Sequence, residues 1–464
     1  MPDLPMPIEF RAEILRPIVD RLQSGESCAL VGVGSSGKSN IARHLTLPEV
    51  RQHYVRSDAA QTVFLYLNCK PFGHSPPHDL YLHALDQLDQ ALEEPGGAFA
   101  AMRADVRALW EEAQSNPERL GKRNLDRAVG HIVRAGAQHV VLILDDCDDL
   151  FSQAPPVLFS DLRALRDNYK VRLVYLTLTR REPAFLRTGA REYEELFELI
   201  SPAGHTFPVP PYSEADGYHM LRRLAARQAP PRPISDPIVR RLFEMGGGHA
   251  GLMRTLYFAA ATDADALSPD AAERLSLHAD VKAECRKILD SLEADERADL
   301  YRILGGEAPS TAGLHRLKRR GLVRPARAPR PELFSPVFER VLPQFRPWSA
   351  GAAASKPDAE EAGPGHTKIE FTGMGWQVRV NKQLITTLTP PEFEILRRLA
   401  EKRPRPCLRA ELIQAMFRGE HGKPTRDVPG SPPRRLEHYL QRLKEKIDAA
   451  GEFIHAEGDG YRLD

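Results

Sequence analysis

Two short stretches hold residues whose types and spacing suit phosphate chemistry. Gly32-Val33-Gly34-Ser35-Ser36-Gly37-Lys38-Ser39 satisfies the pattern G-x-x-x-x-G-K-[ST] at every position. Glycines let backbone N–H groups close around phosphate oxygens, and a helix opening directly after the loop points its positive end at them. In that arrangement Lys38 supplies a mobile cation for the β- and γ-phosphates, and Ser39 supplies a hydroxyl for Mg²⁺. The second stretch is Asp145-Asp146, which closes an apolar run. The first carboxylate suits Mg²⁺, and the second suits orienting or deprotonating an attacking water. A Gly/Ser turn can arise by chance, and an aspartate pair alone reads equally well as a turn or a helix cap. The two motifs together support the nucleotide reading. Asp146 has a shorter arm than a glutamate, so slow turnover is expected.

These groups need strands that end side by side. Residues 27–33 (SCALVGV), 63–69 (VFLYLNC), 139–145 (HVVLILD) and 172–179 (RLVYLTLT) are short apolar runs. Uninterrupted apolar runs suit strands covered on both faces. Helical patterns stand between them, at 80–92 and 159–168 for example, and the stretch 40–45 after the glycine-rich loop is helical too. Strands alternating with helices predict an α/β fold, a parallel sheet with helices on both faces, over 1–210. From there the pattern turns helical. Residues 213–227, 236–245 and 251–261 predict a helical lid over 211–275. Further helices at 281–304 and 311–320, then short runs at 321–323 and 333–335, predict a winged helix over 276–348. Residues 349–366 are small, polar and Gly/Pro-bearing, as a linker is. Beyond them, 367–464 predicts a C-terminal α+β winged helix. Its strands lie within 368–389, its helices at 392–402, 409–417 and 434–449, and a hairpin at 453–463 ends it.

Composition narrows the classes. At 464 residues the chain has room for roughly three domains. An apolar fraction of 42% is ordinary for globular proteins. No apolar run approaches the roughly 18 residues of a membrane span. The opening MPDLPMPIEF lacks the basic and apolar regions of a secretory signal. Cys28, Cys69, Cys147, Cys285 and Cys407 are scattered and show no CxxC spacing. Neither a zinc site nor a disulfide framework is expected from them, and a cytoplasmic location is. A net charge of +1 is neutral on nucleic acid for the whole chain.

Residues from about 8 to 345 resemble the STAND and origin-recognition-type ATPases of the AAA+ class. The resemblance rests on the P-loop, VLILDD, the strand end Thr177 to Arg180, GGGHAGLMR, and the winged helix that follows. It implies a P-loop ASCE sheet in which the strand ending at Thr179 lies between the P-loop strand and the Asp145 strand. It also implies that Thr179 or Arg180 takes the sensor-1 position near the γ-phosphate. Arg254, in Gly251-Leu252-Met253-Arg254, would match the sensor-2 arginine. Without the resemblance these residues read as a polar strand end and a solvated helix arginine. His249-Ala250 departs from the G-x-P of related chains on the adenine side. No guanine-reading N-K-x-D motif is evident, and the resemblance implies ATP with Mg²⁺.

Residues 367–464 carry 18 Lys and Arg against 14 Asp and Glu. That excess permits DNA binding without requiring it. LTPPEFEILRRLA, LRAELIQAMF, RRLEHYLQRLKEKI and IHAEGDGYRL together resemble the OmpR/PhoB-type winged-helix effector domain. The resemblance makes the third helix the reader of a major groove. Leu436, Leu440, Leu443 and Ile447 form its apolar stripe. Arg434, Arg435, His438, Gln441, Arg442 and Lys444 are the candidates for contact with double-stranded DNA. Outside this fold the same residues read as a solvated helix face. Glu457 and Asp459 depart from the family's basic wing, and acids repel phosphate.

The leading expectation is an ATP-switched, DNA-binding transcriptional regulator, with ATP-dependent self-association as an accompanying property. One alternative is an origin-type initiator or loader. Another is a STAND signalling or defence switch whose C-terminal module binds protein.

Overall fold

The computed structural model describes residues 6–93, 97–187, 189–201, 204–228, 234–261, 268–324, 331–345, 369–371, 378–380, 383–385, 388–402, 406–419, 432–447, 454–457 and 460–463. The chain divides into two compact units, Met1–Arg346 and Pro347–Asp464.

The first unit is built on five parallel strands, β1 (Cys28–Val31), β2 (Thr62–Asn68), β3 (His139–Asp145), β4 (Leu173–Thr179) and β5 (Thr206–Pro208). Their order is β2-β3-β4-β1-β5, which places β4 between the P-loop strand and the Asp145 strand as expected. The apolar runs owe their continuity to two cores, one on each face. Along β3, Val141 and Ile143 belong to one cluster, while Val140, Leu142 and Leu144 belong to the other. Successive side chains leave a strand on opposite sides, so both sets must be apolar. Helices Ala12–Gln23 and Lys38–Leu45 cover the first face. Helices Pro77–Ala91, Arg103–Ser115, Pro117–Arg134 and Pro156–Tyr169 cover the second. β5 is a strand the apolar pattern did not show. It pairs with β1 through Ala29↔Thr206, Leu30↔Phe207 and Val31↔Pro208.

After the sheet come the lid helices Glu214–Ala226, Asp236–Gly246 and Ala250–Ala260. Next are Ala279–Asp290, Ala294–Leu304 and Thr311–Arg319, an antiparallel bridge Val323↔Leu333, and Pro336–Val341. These helices and the single bridge lie in the stretches where a helical lid and a winged helix are expected.

The second unit has an antiparallel sheet of Ile369–Phe371, Val378–Val380 and Gln383–Ile385. Three helices follow, Pro390–Lys402, Arg409–Gly419 and Pro432–Ile447. Gly460–Leu463 pairs with both Ile454–Glu457 and the two-residue strand Cys407–Leu408. Leu436, Leu440 and Leu443 are buried in its core together with Tyr439. The side chain of Ile447 lies outside the described residues. Among the described residues, no helix is long and apolar enough to cross a membrane.

Candidate nucleotide-binding site

The glycine-rich loop leaves β1 at Gly32, whose N–H donates to the Thr179 carbonyl at 3.1 Å. The loop is thereby fastened to the end of β4. Ser35 and Gly37 both adopt positive φ, 56° and 96°. Gly37 has no freedom to become larger, because a Cβ there would sit 2.4 Å from the Tyr212 hydroxyl. Left-handed residues interleaved with right-handed ones turn successive N–H groups into one concavity. Helix Lys38–Leu45 starts at once and adds its N-terminal dipole. Ser39 is half-buried in the first turn. The buried Ser36 hydroxyl has no protein partner.

Lys38 is buried, and its ammonium donates to the carbonyls of Gly32 at 2.6 Å and Val33 at 3.1 Å. Burial pulls its pKa down to about 8, against the opposing pull of Asp148, Asp145 and Asp146. It remains mainly cationic at neutral pH. Asp145 is buried at the end of β3, where its carboxylate accepts the Tyr66 hydroxyl. Burial and that carboxylate push the phenol up to about 12, so Tyr66 stays a donor. The Arg43 guanidinium lies over the Tyr66 ring, 5.1 Å from its centroid. Asp146 has a left-handed backbone, φ 52°, which costs a non-glycine residue of order 1 kcal/mol or more. Its carboxylate is about one-third exposed and 3.9 Å from Arg180 Nε.

Thr179 is fully buried, and its hydroxyl, like that of Thr177, has no protein partner. Arg180 is half-exposed among three acids, nearest Asp148 at 3.4 Å, with Asp146 and Asp149 each at 3.9 Å. Arg254 is exposed in the lid helix Ala250–Ala260. The start of that helix docks on the loop itself, because Gly251 N–H donates to the Ser35 carbonyl at 3.0 Å. The phosphate-type loop, the two aspartates, the β4 end and the lid helix thus converge along the C-terminal ends of β1, β3 and β4.

Sequence reasoning noticed His249 only as a departure from G-x-P. In the structure its Nδ1 accepts the Leu252 N–H at 3.1 Å, capping the lid helix. Its Nε2 then donates to the Gly34 carbonyl at 2.9 Å. Burial pushes its pKa down to about 4, against the nearby Glu284 carboxylate and the Gly34 bond, so it is neutral. Other contacts had no local signal. Gly34 N–H donates to Ser291 Oγ at 2.8 Å. Arg181 forms a two-pronged pair with Glu293 at 2.5 and 2.8 Å. The buried Arg320 donates to the carbonyls of Arg180 at 3.1 Å and Ser291 at 3.2 Å, and pairs with the fully buried Glu296 at 2.9 Å.

Residues 11–178 match the family model of the AAA ATPase domain. No curated protein matches the chain. Several solved structures are similar to it. They include the Walker-type ATPase of Pyrococcus abyssi, with 15% identity and TM-score 0.44 over 72% of this chain and 95% of that one. Cdc6p from Pyrobaculum aerophilum aligns with 14% identity and TM-score 0.36 over 74% and 96%. The Aeropyrum pernix ORC1 protein, solved in complex with DNA, aligns with 14% identity and TM-score 0.36 over 74% and 95%.

The second unit holds the six candidates for DNA contact on helix Pro432–Ile447. His438 and Gln441 are exposed, and Arg442 and Lys444 are half-buried. Arg442 is engaged inside the unit, 3.2 Å from the buried Glu392. The side chains of Arg434 and Arg435 lie outside the described residues. So do Asp459 and the side chain of Glu457. The exposed Glu437 also lies on this helix, held by Arg409 at 2.8 Å and the Tyr461 hydroxyl at 2.7 Å.

Proposed function

We propose that this chain is a slow, ATP-hydrolysing switch whose nucleotide state controls a sequence-specific DNA reader within 367–464. The observation that carries the switch is the set of bonds on the loop apex. Gly34 and Ser35 are held by His249 and Gly251 of the lid and by Ser291 beyond it. A ligand that reshapes this loop changes the contacts that hold the lid and the 276–348 winged helix. A conformational equilibrium shifts by the difference in a ligand's affinity for its two states.

The donor set fits the assignment. A hydroxyl at Ser39 and a carboxylate at Asp145 are hard oxygen ligands of the kind Mg²⁺ takes alongside phosphate and water. Bound Mg²⁺ would offset the negative charge of the phosphates. The backbone from Gly32 to Ser39 cradles the polyphosphate, and Lys38 turns from the Gly32 and Val33 carbonyls toward it. Asp146 orients the attacking water. Its short arm and its Arg180 neighbour favour slow turnover. Thr179 or Arg180, together with Arg254, reads the γ-phosphate. We assign 1–210 to the ATPase domain, 211–275 to the lid, 276–348 to a winged helix, 349–366 to a linker and 367–464 to an OmpR/PhoB-type module. His438, Gln441 and Lys444, with Arg434 and Arg435, are its DNA contacts, while Arg442 is held to Glu392. ATP-dependent self-association accompanies the switch. The five free, buried cysteines support a cytoplasmic location.

One observation favours a second reading, a protein partner for the C-terminal module. Glu437 places a fixed carboxylate on the helix that would enter the groove. The deciding experiment is selection from a random duplex library by the full chain, with and without ATP and Mg²⁺, at two salt concentrations, beside Lys38→Ala. Enrichment of a motif that changes with ATP, and loses that change in Lys38→Ala, supports the DNA switch. Absence of enrichment and of salt-sensitive binding refutes it. Unchanged ATPase activity in Lys38→Ala refutes the site assignment.

A further inference from the structure

An aspartate at the start of a helix ordinarily caps that helix. Asp148 opens helix Asp148–Gln153 and does something else. It is 5% exposed, and both of its carboxylate oxygens accept the Arg180 N–H at 3.0 Å. One of them also accepts the Arg181 N–H at 3.3 Å. The other lies 3.4 Å from Arg180 Nε. The ladder between β3 and β4 ends at Leu144↔Thr177. Past it, Cys147 N–H donates to the Leu178 carbonyl at 3.3 Å, and Asp148 bonds the two residues that follow Thr179. Thr179 and Arg180 belong to one strand end, and Asp145 and Asp146 to the other.

We propose that Asp148 is a positioning residue that fixes the γ-phosphate-facing end of β4, Thr179 and Arg180, against the Asp145-Asp146 end of β3. The inference rests on the ATPase reading above and adds a residue to which that reading assigns no role. Both carboxylate oxygens of Asp148 are engaged by protein N–H groups. Asp148 acts through the backbone of Arg180 and Arg181 and through Arg180 Nε, which lies 3.4 Å from it and 3.9 Å from Asp146, while the Arg181 guanidinium reaches Glu293. A charged acceptor matters here because two N–H groups converge on it, and charge-assisted bonds are about twice as strong as neutral ones.

The consequence is selective. The loop, Lys38 and Ser39 hold the phosphates that ADP and ATP share. The β4 end contributes to ATP alone. Asp148→Asn replaces one acceptor with an amide N–H2 that faces other N–H groups. Asp148→Glu keeps the charge but displaces it by one methylene. The test measures binding of ADP and of a non-hydrolysable ATP analogue to the full chain, and kcat for ATP, in both variants. We expect ADP affinity within about twofold of the unsubstituted protein. Preference for the triphosphate should fall by about tenfold or more in Asp148→Asn, the worth of one hydrogen bond to a charged group. Asp148→Glu should show a smaller loss, and kcat should fall in the same order. Unaltered preference and kcat in either folded variant overturn the proposal. Equal weakening of ADP and the analogue also overturns it, since that marks a purely structural role. If the unsubstituted protein binds neither nucleotide, the ATPase reading fails and takes this inference with it. Binding with unaltered discrimination overturns the Asp148 role alone.

Discussion

His249 makes acid stability a direct probe of the lid–loop contact. Its ring is neutral, with Nδ1 accepting from Leu252 and Nε2 donating to Gly34. Protonating Nδ1 would set two N–H groups face to face and undo the cap. The folded pKa is about 4, below the ordinary 6.5. Between those values the unfolded chain takes up a proton that the folded chain refuses. The stability associated with neutral His249 is therefore fully present above pH 6.5 and is lost as pH falls toward 4. At about 1.4 kcal/mol per pH unit, the interval amounts to about 3 kcal/mol. The perturbation is His249→Asn, which keeps an N-cap acceptor, gives up the Gly34 bond and cannot titrate. At pH 8 the variant should be less stable by about 1 kcal/mol, one hydrogen bond. The assay is urea unfolding of the full chain with each residue at 249, from pH 8 to pH 4. Acids remote from position 249 titrate alike in both proteins, so the difference between the curves reports His249 together with the neighbouring Glu284 carboxylate. The unsubstituted protein should lose about 3 kcal/mol relative to the variant across that range. Parallel curves would refute both the buried, neutral ring and its role in holding the lid to the loop.

Two further outcomes follow from the geometry. Tyr66→Phe removes the donor that orients Asp145, so half-saturation of hydrolysis by Mg²⁺ should rise about tenfold, as when metal ligands lose supporting bonds. Metal-free nucleotide binding should stay the same, and an unmoved Mg²⁺ curve counts against the orienting role. Gly251→Ala would place a Cβ 2.1 Å from the Glu284 carboxylate and 2.4 Å from Ser35 Cβ. Such overpacking should cost about 1–3 kcal/mol and increase protease cleavage in the lid, whereas an unchanged unfolding midpoint would show that the helix start does not press on the loop.

How far the sequence foretold this structure depends on sequence distance. β3 and β4 were legible because burial on both faces makes most of their residues apolar in an unbroken run, and their register then follows from the cores on each side. β5 was not. Three half-buried residues ending in Pro208 have no apolar pattern, and only pairing with β1 makes them a strand. The loop and the aspartate pair were legible because each motif is contiguous and its chemistry is local. Asp148 stood in view beside Asp146, but its target lies 32 residues away, and a helix-start aspartate ordinarily signals a cap. The ties of Gly34 to Ser291 and Arg181 to Glu293 span 257 and 112 residues. No periodicity or spacing encodes such a pair, since folding alone brings the partners together.

Arg320 also constrains how the chain can change over generations. It touches Arg180 and Ser291 through backbone carbonyls and Glu296 through its carboxylate. Carbonyls are the same whatever side chain follows them, so these contacts leave positions 180 and 291 unrestricted by Arg320. Glu296 has no such freedom. Removing one member of a buried ion pair strands the other charge, at a cost of about 3–5 kcal/mol. Lysine is no substitute for the fork geometry at 320, because it cannot reach three acceptors in one plane. Positions 296 and 320 should therefore change together or not at all among descendants of this chain. A lineage that replaces both with well-packed apolar residues could keep the fold while losing the tie between the β4 end and the helices beyond it.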